Sequence, residues 1–312
     1  MITIENLSIG HTLRHRSVVV AHGLTARCLP GSLTCLMGRN GTGKSTLLRT
    51  IARFLPPLSG SVGIMGSDAR QYSPAGYARL VSVVLTSRPY GQNITVGELV
   101  ALGRTPYTGF WGTLSPADRA IVAESMRLVG ISGLAARRVA TLSDGERQKT
   151  MVAKALAQQT PVMLLDEPTT GVDAVSRSEF WDMLSELKSK GISMLVSTPY
   201  MDEARRCDRI ALCNEGKILG IDTPQGIVGR FDGPLYALSG RDMYGLLLAA
   251  RRSSGVRECY PFGESHHLIP ADGFDAAAFA RELAGQGFPD AVIRPAEAGI
   301  EDVFIKLMHH EP

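Results

Sequence analysis

A chain of 312 residues exceeds one average domain and fits one large domain with a smaller companion. Its 44% hydrophobic and 20% charged residues suffice to bury a core, which excludes a disordered chain. A formal net charge of +3 is near balance and gives no basic footprint, so no nucleic-acid partner is expected.

The chain opens Met1-Ile2-Thr3-Ile4-Glu5-Asn6, with no basic flank ahead of an apolar stretch, so no signal peptide is expected. Short strands are predicted at residues 2–4, 17–20 and 33–37, with Gly-containing turns between them. Leu33-Thr34-Cys35-Leu36-Met37 runs into a Gly-rich loop, after which residues 44–54 read as a helix stopped by Pro56-Pro57. Residues 60–115 are broken by Gly, Pro and Ser, with a strand expected at 81–85 and a helix at 96–102. Helical patterns follow at 116–129 and 143–159, the second with Met151, Val152, Ala155 and Leu156 at helical spacing. Pro161 ends it, and Val162-Met163-Leu164-Leu165 is an apolar run of the type buried on both faces of a parallel sheet.

A helix over 175–188, a strand over 192–197, a helix over 201–206 and a strand over 210–213 complete the alternation. This order predicts an α/β fold, a mostly parallel sheet with an antiparallel N-terminal part. Past about residue 226 the chemical motifs stop, and patches such as 274–283 and 300–308 read as a small α+β domain. The expected division is therefore 1–225 and 226–312. The longest apolar runs, such as 246–250, fall far short of the ~20 apolar residues of a spanning helix, so any membrane role requires a partner. Cysteines 28, 35, 207, 213 and 259 are odd in number and form no CxxC pair. That argues against a disulfide framework or zinc site and fits scattered buried thiols in a reducing cytosol.

Gly38-Arg39-Asn40-Gly41-Thr42-Gly43-Lys44-Ser45-Thr46 matches GxxxxGK[ST] between a predicted strand and a predicted helix. Glycines let successive backbone N–H groups converge on one anion, and the positive end of the helix dipole adds to the attraction. Lys44 then supplies charge to the β- and γ-phosphates of ATP, and the Ser45 hydroxyl is placed to ligate Mg²⁺. Asp166-Glu167 closes the apolar run at 162–165, at the strand edge where ligands bind in open α/β sheets. Asp166 is expected to hold Mg²⁺ through water, and Glu167 to orient or deprotonate the attacking water.

Leu142-Ser143-Asp144-Gly145-Glu146, followed by Arg147-Gln148-Lys149, resembles the signature motif of ABC transporter ATPases, usually LSGGQ. Leu165-Asp166-Glu167-Pro168-Thr169 resembles the extended Walker B of the same family. The resemblance covers about residues 1–225 and implies a P-loop NTPase of ABC type. Its antiparallel N-terminal β-subdomain and a helical subdomain at about 87–160 would flank the parallel sheet. It also implies a head-to-tail homodimer, an ATP sandwich in which Ser143 and Gly145 of one subunit face the γ-phosphate held by the other. A helix N-terminus suits that anion, two identical sites suit a two-fold dimer, and Ser-Asp-Gly is equally an ordinary N-cap.

Four positions depart from the family pattern. Asp144 replaces a glycine and brings negative charge to the signature, or caps its helix. His11 stands where an aromatic residue usually stacks on adenine, a role an imidazole ring can fill. Thr86 follows the expected strand where a glutamine is usual, with Gln71 and Gln92 nearby but out of register. Pro199, in Val196-Ser197-Thr198-Pro199-Tyr200, replaces the switch histidine and has neither donor nor titratable group. Slow hydrolysis is expected, because Lys44 and Glu167 remain.

Residues 80–165 resemble ATPases of iron-siderophore, haem and cobalamin importers, through Leu99-Val100-Ala101-Leu102-Gly103-Arg104-Thr105-Pro106-Tyr107 and the signature. Residues 168–210, and the tail Glu301-Asp302-Val303-Phe304-Ile305, look more like ABC-2-type exporter ATPases. The region after Thr86, to about Trp111, touches the permease in this family and is here of importer type. It implies iron-chelate import by a cytoplasmic subunit held to the inner face of the membrane by transmembrane permease subunits. Export is the alternative. A soluble ABC ATPase acting on ribosomes or DNA fits less well, since there is one P-loop, one signature and no sustained heptad run; a dimerising module that does not hydrolyse ATP is the remaining reading. Trp111 and Tyr107 read as a partner surface or a packed loop. His266-His267 and His309-His310 are metal ligands by residue type only and read rather as solvated histidines, and Arg137-Arg138 and Arg205-Arg206 as solvated helix faces.

Overall fold

The computed structural model describes residues 1–13, 16–85 and 93–309. The chain separates into two compact units, Met1–Pro224 and Gln225–Pro312.

In the first unit the strands are β1 (Ile2–Leu13), β2 (Arg16–Cys28), β3 (Leu33–Met37), β4 (Ser59–Ile64), β5 (Ser67–Asp68), β6 (Val81–Val84), β7 (Val162–Asp166), β8 (Ser193–Thr198), β9 (Arg209–Asn214) and β10 (Lys217–Asp222). Its helices are α1 (Lys44–Ile51), α2 (Pro74–Ala78), α3 (Val96–Ala101), α4 (Pro116–Leu128), α5 (Asp144–Ala157), α6 (Ala174–Ser189) and α7 (Met201–Ala204), with α8 (Pro224–Val228) at the junction. Among the described residues the strands form an antiparallel sheet ordered β2-β1-β4-β5 and a larger sheet ordered β10-β9-β3-β8-β7-β6. Every pairing in the larger sheet is parallel except the β9–β10 hairpin. Strands β3 and β7 are buried at every residue, as expected of strands covered on both faces. Helix α1 joins the two sheets: Leu47, Leu48 and Ile51 share one core with Ile4, Leu7 and Ile9 of β1 and with Leu36, Leu164 and Leu195 of the parallel strands.

The N-terminal strands are much longer than the predicted 2–4 and 17–20. The β1–β2 register shifts between Ile4 and Leu7, Leu7 and Ile9, and Ile9 and Gly10; these irregularities break the two-residue alternation that marks a strand in sequence. Helices α3, α4 and α5 pack on one another. Buried Arg104 bonds Asp118 Oδ1 (2.8 Å), the Ala157 carbonyl (2.7 Å) and Gln159 Oε1 (3.0 Å), and its guanidinium lies 4.0 Å from the Tyr107 ring centroid. Tyr107 is therefore packed, whereas Trp111 is 87% exposed. The five cysteines are free and buried, and burial pushes the Cys28 and Cys259 thiols up to about 11 and Cys213 to about 12. Arg137 reaches Glu146 Oε1 at 3.0 Å and Arg206 reaches Asp182 Oδ1 at 2.9 Å, so these arginines are paired, not simply solvated.

The second unit is α+β. Strands β11 (Tyr236–Ser239), β12 (Val256–Phe262), β13 (Ser265–Pro270) and β14 (Val292–Pro295) form an antiparallel sheet ordered β12-β13-β11-β14, with helices α9 (Met243–Arg252), α10 (Ala276–Gly285) and α11 (Ile300–His309). Leu246, Leu247, Phe279 and Leu283 of α9 and α10 cover Leu238, Cys259 and Leu268. The next residues along the strands, Tyr260 and Ile269, pack with Ile305 of α11.

Here the histidine reading fails: His266 and His267 are 5% and 6% exposed. The His267 ring is stacked on Phe262 at 3.8 Å, and its Nδ1 lies 2.6 Å from Asp302 Oδ1. The Tyr260 hydroxyl donates to the same oxygen at 2.8 Å and the Gly299 N–H to Oδ2 at 2.6 Å. Burial pushes the Asp302 carboxyl upward, but the His267, Gly299 and Tyr260 hydrogen bonds outweigh it and hold the group below its ordinary value. A carboxyl whose folded pKa is depressed adds stability above its unfolded pKa, lost as pH falls through the folded one. Calorimetric melting of the full chain should thus show the second unit's transition falling as pH drops below about 4. Asp302→Ala should lower its stability by about 3 kcal/mol at pH 7, since three buried polar partners lose an acceptor.

Candidate nucleotide-binding site

Strand β3 delivers the chain to Gly38, where a Cβ would stand 2.3 Å from the Cys213 carbonyl oxygen of β9. Only a glycine lets the loop leave the sheet so close to that backbone. Gly41 and Gly43 have φ of 85° and 95°, the left-handed region where side chains are strained. Gly43 is the N-cap of α1 and supplies no side-chain cap, so the first-turn amides of α1 are not capped from that position. The loop therefore curls around a helix N-terminus that suits an anion. Arg39, Asn40 and Gly41 are exposed, Thr42, Gly43, Ser45 and Thr46 half-buried, and the Thr42 hydroxyl donates to the Arg39 carbonyl at 2.9 Å. Lys44 is 4% exposed. Its Nζ donates to the Gly38 and Arg39 carbonyls at 2.9 and 3.0 Å and lies 3.4 Å from Glu167 Oε1.

The acids arrive from β7. Ser45 Oγ donates to Asp166 Oδ1 at 2.8 Å, so residues 121 positions apart in sequence meet in one pocket. Glu167 leaves the strand at φ 46°, a conformation that costs a residue with a side chain about 1–3 kcal/mol unless its surroundings enforce it. Neighbouring β8 does so: Ser197, paired with Asp166 and fully buried, accepts the Glu167 N–H on its carbonyl (3.1 Å) and on Oγ (3.0 Å). Its hydroxyl donates to Asp166 Oδ1 at 2.8 Å.

Pro199 follows the last residue of β8, and the surrounding loop is held by another acid. Glu203, 2% exposed, accepts from the Thr169 hydroxyl at 2.6 Å and from the Thr198 hydroxyl. Arg177 lies 3.6 Å from Glu203 and stacks 4.3 Å from the Tyr200 ring centroid. Sequence reasoning missed Ser197, Glu203 and Arg177. The available signal was the place of Ser197-Thr198 at the C-terminal end of a parallel strand, the edge where such sheets put their chemistry.

Ser143 caps α5: its Oγ accepts the Glu146 N–H at 3.2 Å, while Glu146 Oε2 accepts the Ser143 N–H at 2.8 Å. The Ser143 N–H, and after it the Ser143 hydroxyl and Arg137, hold the Glu146 carboxyl below its ordinary value against the effect of burial. Asp144 is paired with Arg147 at 2.5 Å, which offsets the charge this position brings to the helix start. A Cβ on Gly145 would stand 3.4 Å from Ser176 of α6. Among the described residues, no hydrogen bond or ion pair joins 143–145 to the loop at 38–46. His11 is exposed on β1 opposite Val18. It lies two residues beyond Ile9, whose side chain is 4.0 Å from a Cβ built on Gly43. Thr86, Gln92 and His310 lie outside the described residues.

The sequence profile of the ABC transporter family matches residues 21–170. An ABC transporter ATP-binding protein of Methanocaldococcus jannaschii is 38% identical over 232 residues, 74% of this chain and 79% of that protein. The ferric enterobactin transport ATP-binding protein of Escherichia coli is 36% identical over 219 residues, 70% and 81% of the two chains. A probable multidrug ABC transporter ATP-binding protein of Escherichia coli is 31% identical over 197 residues, covering 63% of this chain but 33% of the relative. Among solved structures, a dimeric bacterial ABC transporter cassette superposes with a TM-score of 0.64 at 22% identity, over 72% of this chain and 98% of that one; this likeness speaks for the fold.

The Gly38 contact generates a test of the loop. Gly38→Ala should fold, yet displace the loop from β9 and weaken Mg-ATP binding at least about tenfold, because small misplacements of a preorganised site are costly. Isothermal calorimetry on variant and parent measures it.

Proposed function

The chain belongs to the ABC transporter ATP-binding family and is an ABC transporter ATPase; we propose that it powers the import of an iron chelate of the siderophore type. The observation carrying this reading is the similarity to the ferric enterobactin transport subunit across most of both chains, together with achromobactin, iron(3+)-hydroxamate and petrobactin relatives. ABC-2-type export is the second reading, favoured by the multidrug relative and by the exporter-like sequence of residues 168–210.

The site's geometry supports the following roles. Gly38 to Thr46 cradle the phosphates of ATP with backbone amides, and Lys44 holds the β- and γ-phosphates. Mg²⁺ fits the donor set: Ser45 Oγ and Asp166 Oδ1 are hard oxygen donors 2.8 Å apart, and this ion takes few protein ligands alongside water and phosphate oxygens. Bound there, Mg²⁺ would offset phosphate charge. Glu167 orients or deprotonates the attacking water. With proline at 199, no side chain at that position touches the γ-phosphate, and turnover is slow. Ser143 and Gly145, separate from the loop within one chain, complete the site of a second copy in a two-fold homodimer. His11 packs on the adenine.

No helix among the described residues is long and apolar enough to cross a membrane, and attachment on the cytoplasmic face falls to permease subunits. Phe110 and Trp111, 95% and 87% exposed and in edge-to-face contact, belong to the segment assigned to that contact. Residues 1–225 carry the ATPase and 226–312 form an accessory domain.

Lys44→Ala should abolish Mg-ATP binding in calorimetry. Glu167→Gln should bind normally and turn over about a hundredfold more slowly; equal rates would remove Glu167 from the mechanism. Co-expression with either permease class should recover a complex with the importer type, and recovery with an ABC-2 permease alone would reverse the direction of transport.

A further inference from the structure

The hydroxyl of Ser197 touches both acids of the site, and nothing in the motifs assigns it a task. It donates to Asp166 Oδ1 at 2.8 Å and accepts the Glu167 N–H at 3.0 Å, while the Ser197 carbonyl accepts the same N–H at 3.1 Å. A hydroxyl has one proton, and an ionised Asp166 can only accept, so the rotor is fixed: proton to Asp166, lone pair to Glu167. Full burial removes water as a substitute partner. We propose that Ser197 is a positioning residue for Glu167, clamping the left-handed turn at φ 46° from which this carboxylate reaches to 3.4 Å from Lys44.

Two features make the clamp necessary here. Asp166 Oδ1 also accepts from Ser45, a hydroxyl assigned above to Mg²⁺, so Ser197 is a donor that stays with Asp166 when Ser45 turns away. Pro199, two residues on, offers no side-chain donor, which leaves the end of β8 to act on the acids through Ser197. Thr198 cannot take over, because its hydroxyl is committed to Glu203. Without the Ser197 hydroxyl, the Glu167 N–H keeps a single acceptor and the turn is free to relax toward commoner backbone angles.

The inference rests on the assignment of Glu167 to the attacking water, and the test separates the two. Steady-state ATP turnover and equilibrium binding of Mg-ATP are measured on the full chain for the parent, Ser197→Ala, Ser197→Cys, Ser197→Thr, Glu167→Gln and the Ser197→Ala/Glu167→Gln double variant. Ser197→Ala and the near-isosteric Ser197→Cys should lose kcat by about tenfold to a hundredfold with binding within about threefold of the parent. Ser197→Thr, which restores the hydroxyl, should recover most of the loss. In the Glu167→Gln background Ser197→Ala should add nothing, since both act through one group. If Ser197→Ala does not fold, the contrast between Thr and Cys decides. Turnover of Ser197→Cys within about twofold of the parent, binding that falls in step with kcat, or additive losses in the double variant would each overturn the clamp alone. Equal rates for the parent and Glu167→Gln would overturn the assignment of Glu167 and the clamp with it.

Discussion

The site depends on the parallel register that sets β3, β8 and β7 side by side. Leu33 pairs with Met194 and Met37 with Thr198, while Asp166 pairs with Ser197. All three strands therefore end at one edge, and the loop after Met37 meets the acids after Leu165. The Ser45–Asp166 hydrogen bond and the Lys44–Glu167 contact are consequences of that register. A slip of one residue would turn every side chain to the opposite face and part them. The continuous burial of β3 and β7 fixes the register through the hydrophobic core, so the stability of the sheet and the geometry of the site share one cause.

Departures from the family pattern look different once their neighbours are known. Asp144 places a carboxylate at the start of α5, but Arg147 one turn on is paired with it, and an acid in the first turn also favours the helix dipole. Pro199, just past the end of β8, offers no side-chain donor. The loop around it is nevertheless held by Glu203 through Thr169, Thr198 and Arg177. A buried carboxylate is tolerated there because it is hydrogen-bonded twice and faces a cation. The structure thus links the turn after the acids to the end of β8 by side chains that no motif contains.

Some elements were legible because one residue pattern admits one local structure. The loop at 38–46 is bounded by an apolar strand and a capless helix start, and the apolar run at 162–165 ends at its acids as expected. The helix predicted over 143–159 begins at its Ser143 cap and ends at Ala157. Other features were hidden. Bulges in the β1–β2 pair broke the alternation, and His266 and His267 read as solvated because a polar residue pair carries no sign of burial. In the fold, Phe262 covers the second ring and Asp302, 35 residues away, accepts its proton or pairs with it.

The sequence by itself determined the loop, the two acids, the signature and the alternation of elements, because each depends on residues adjacent in the chain. Tertiary structure alone decided which hydroxyls serve the acids, what offsets Asp144 and what buries the histidines. Those answers require partners distant in sequence, and only the packing of strands and helices sets which side chains come within hydrogen-bonding distance.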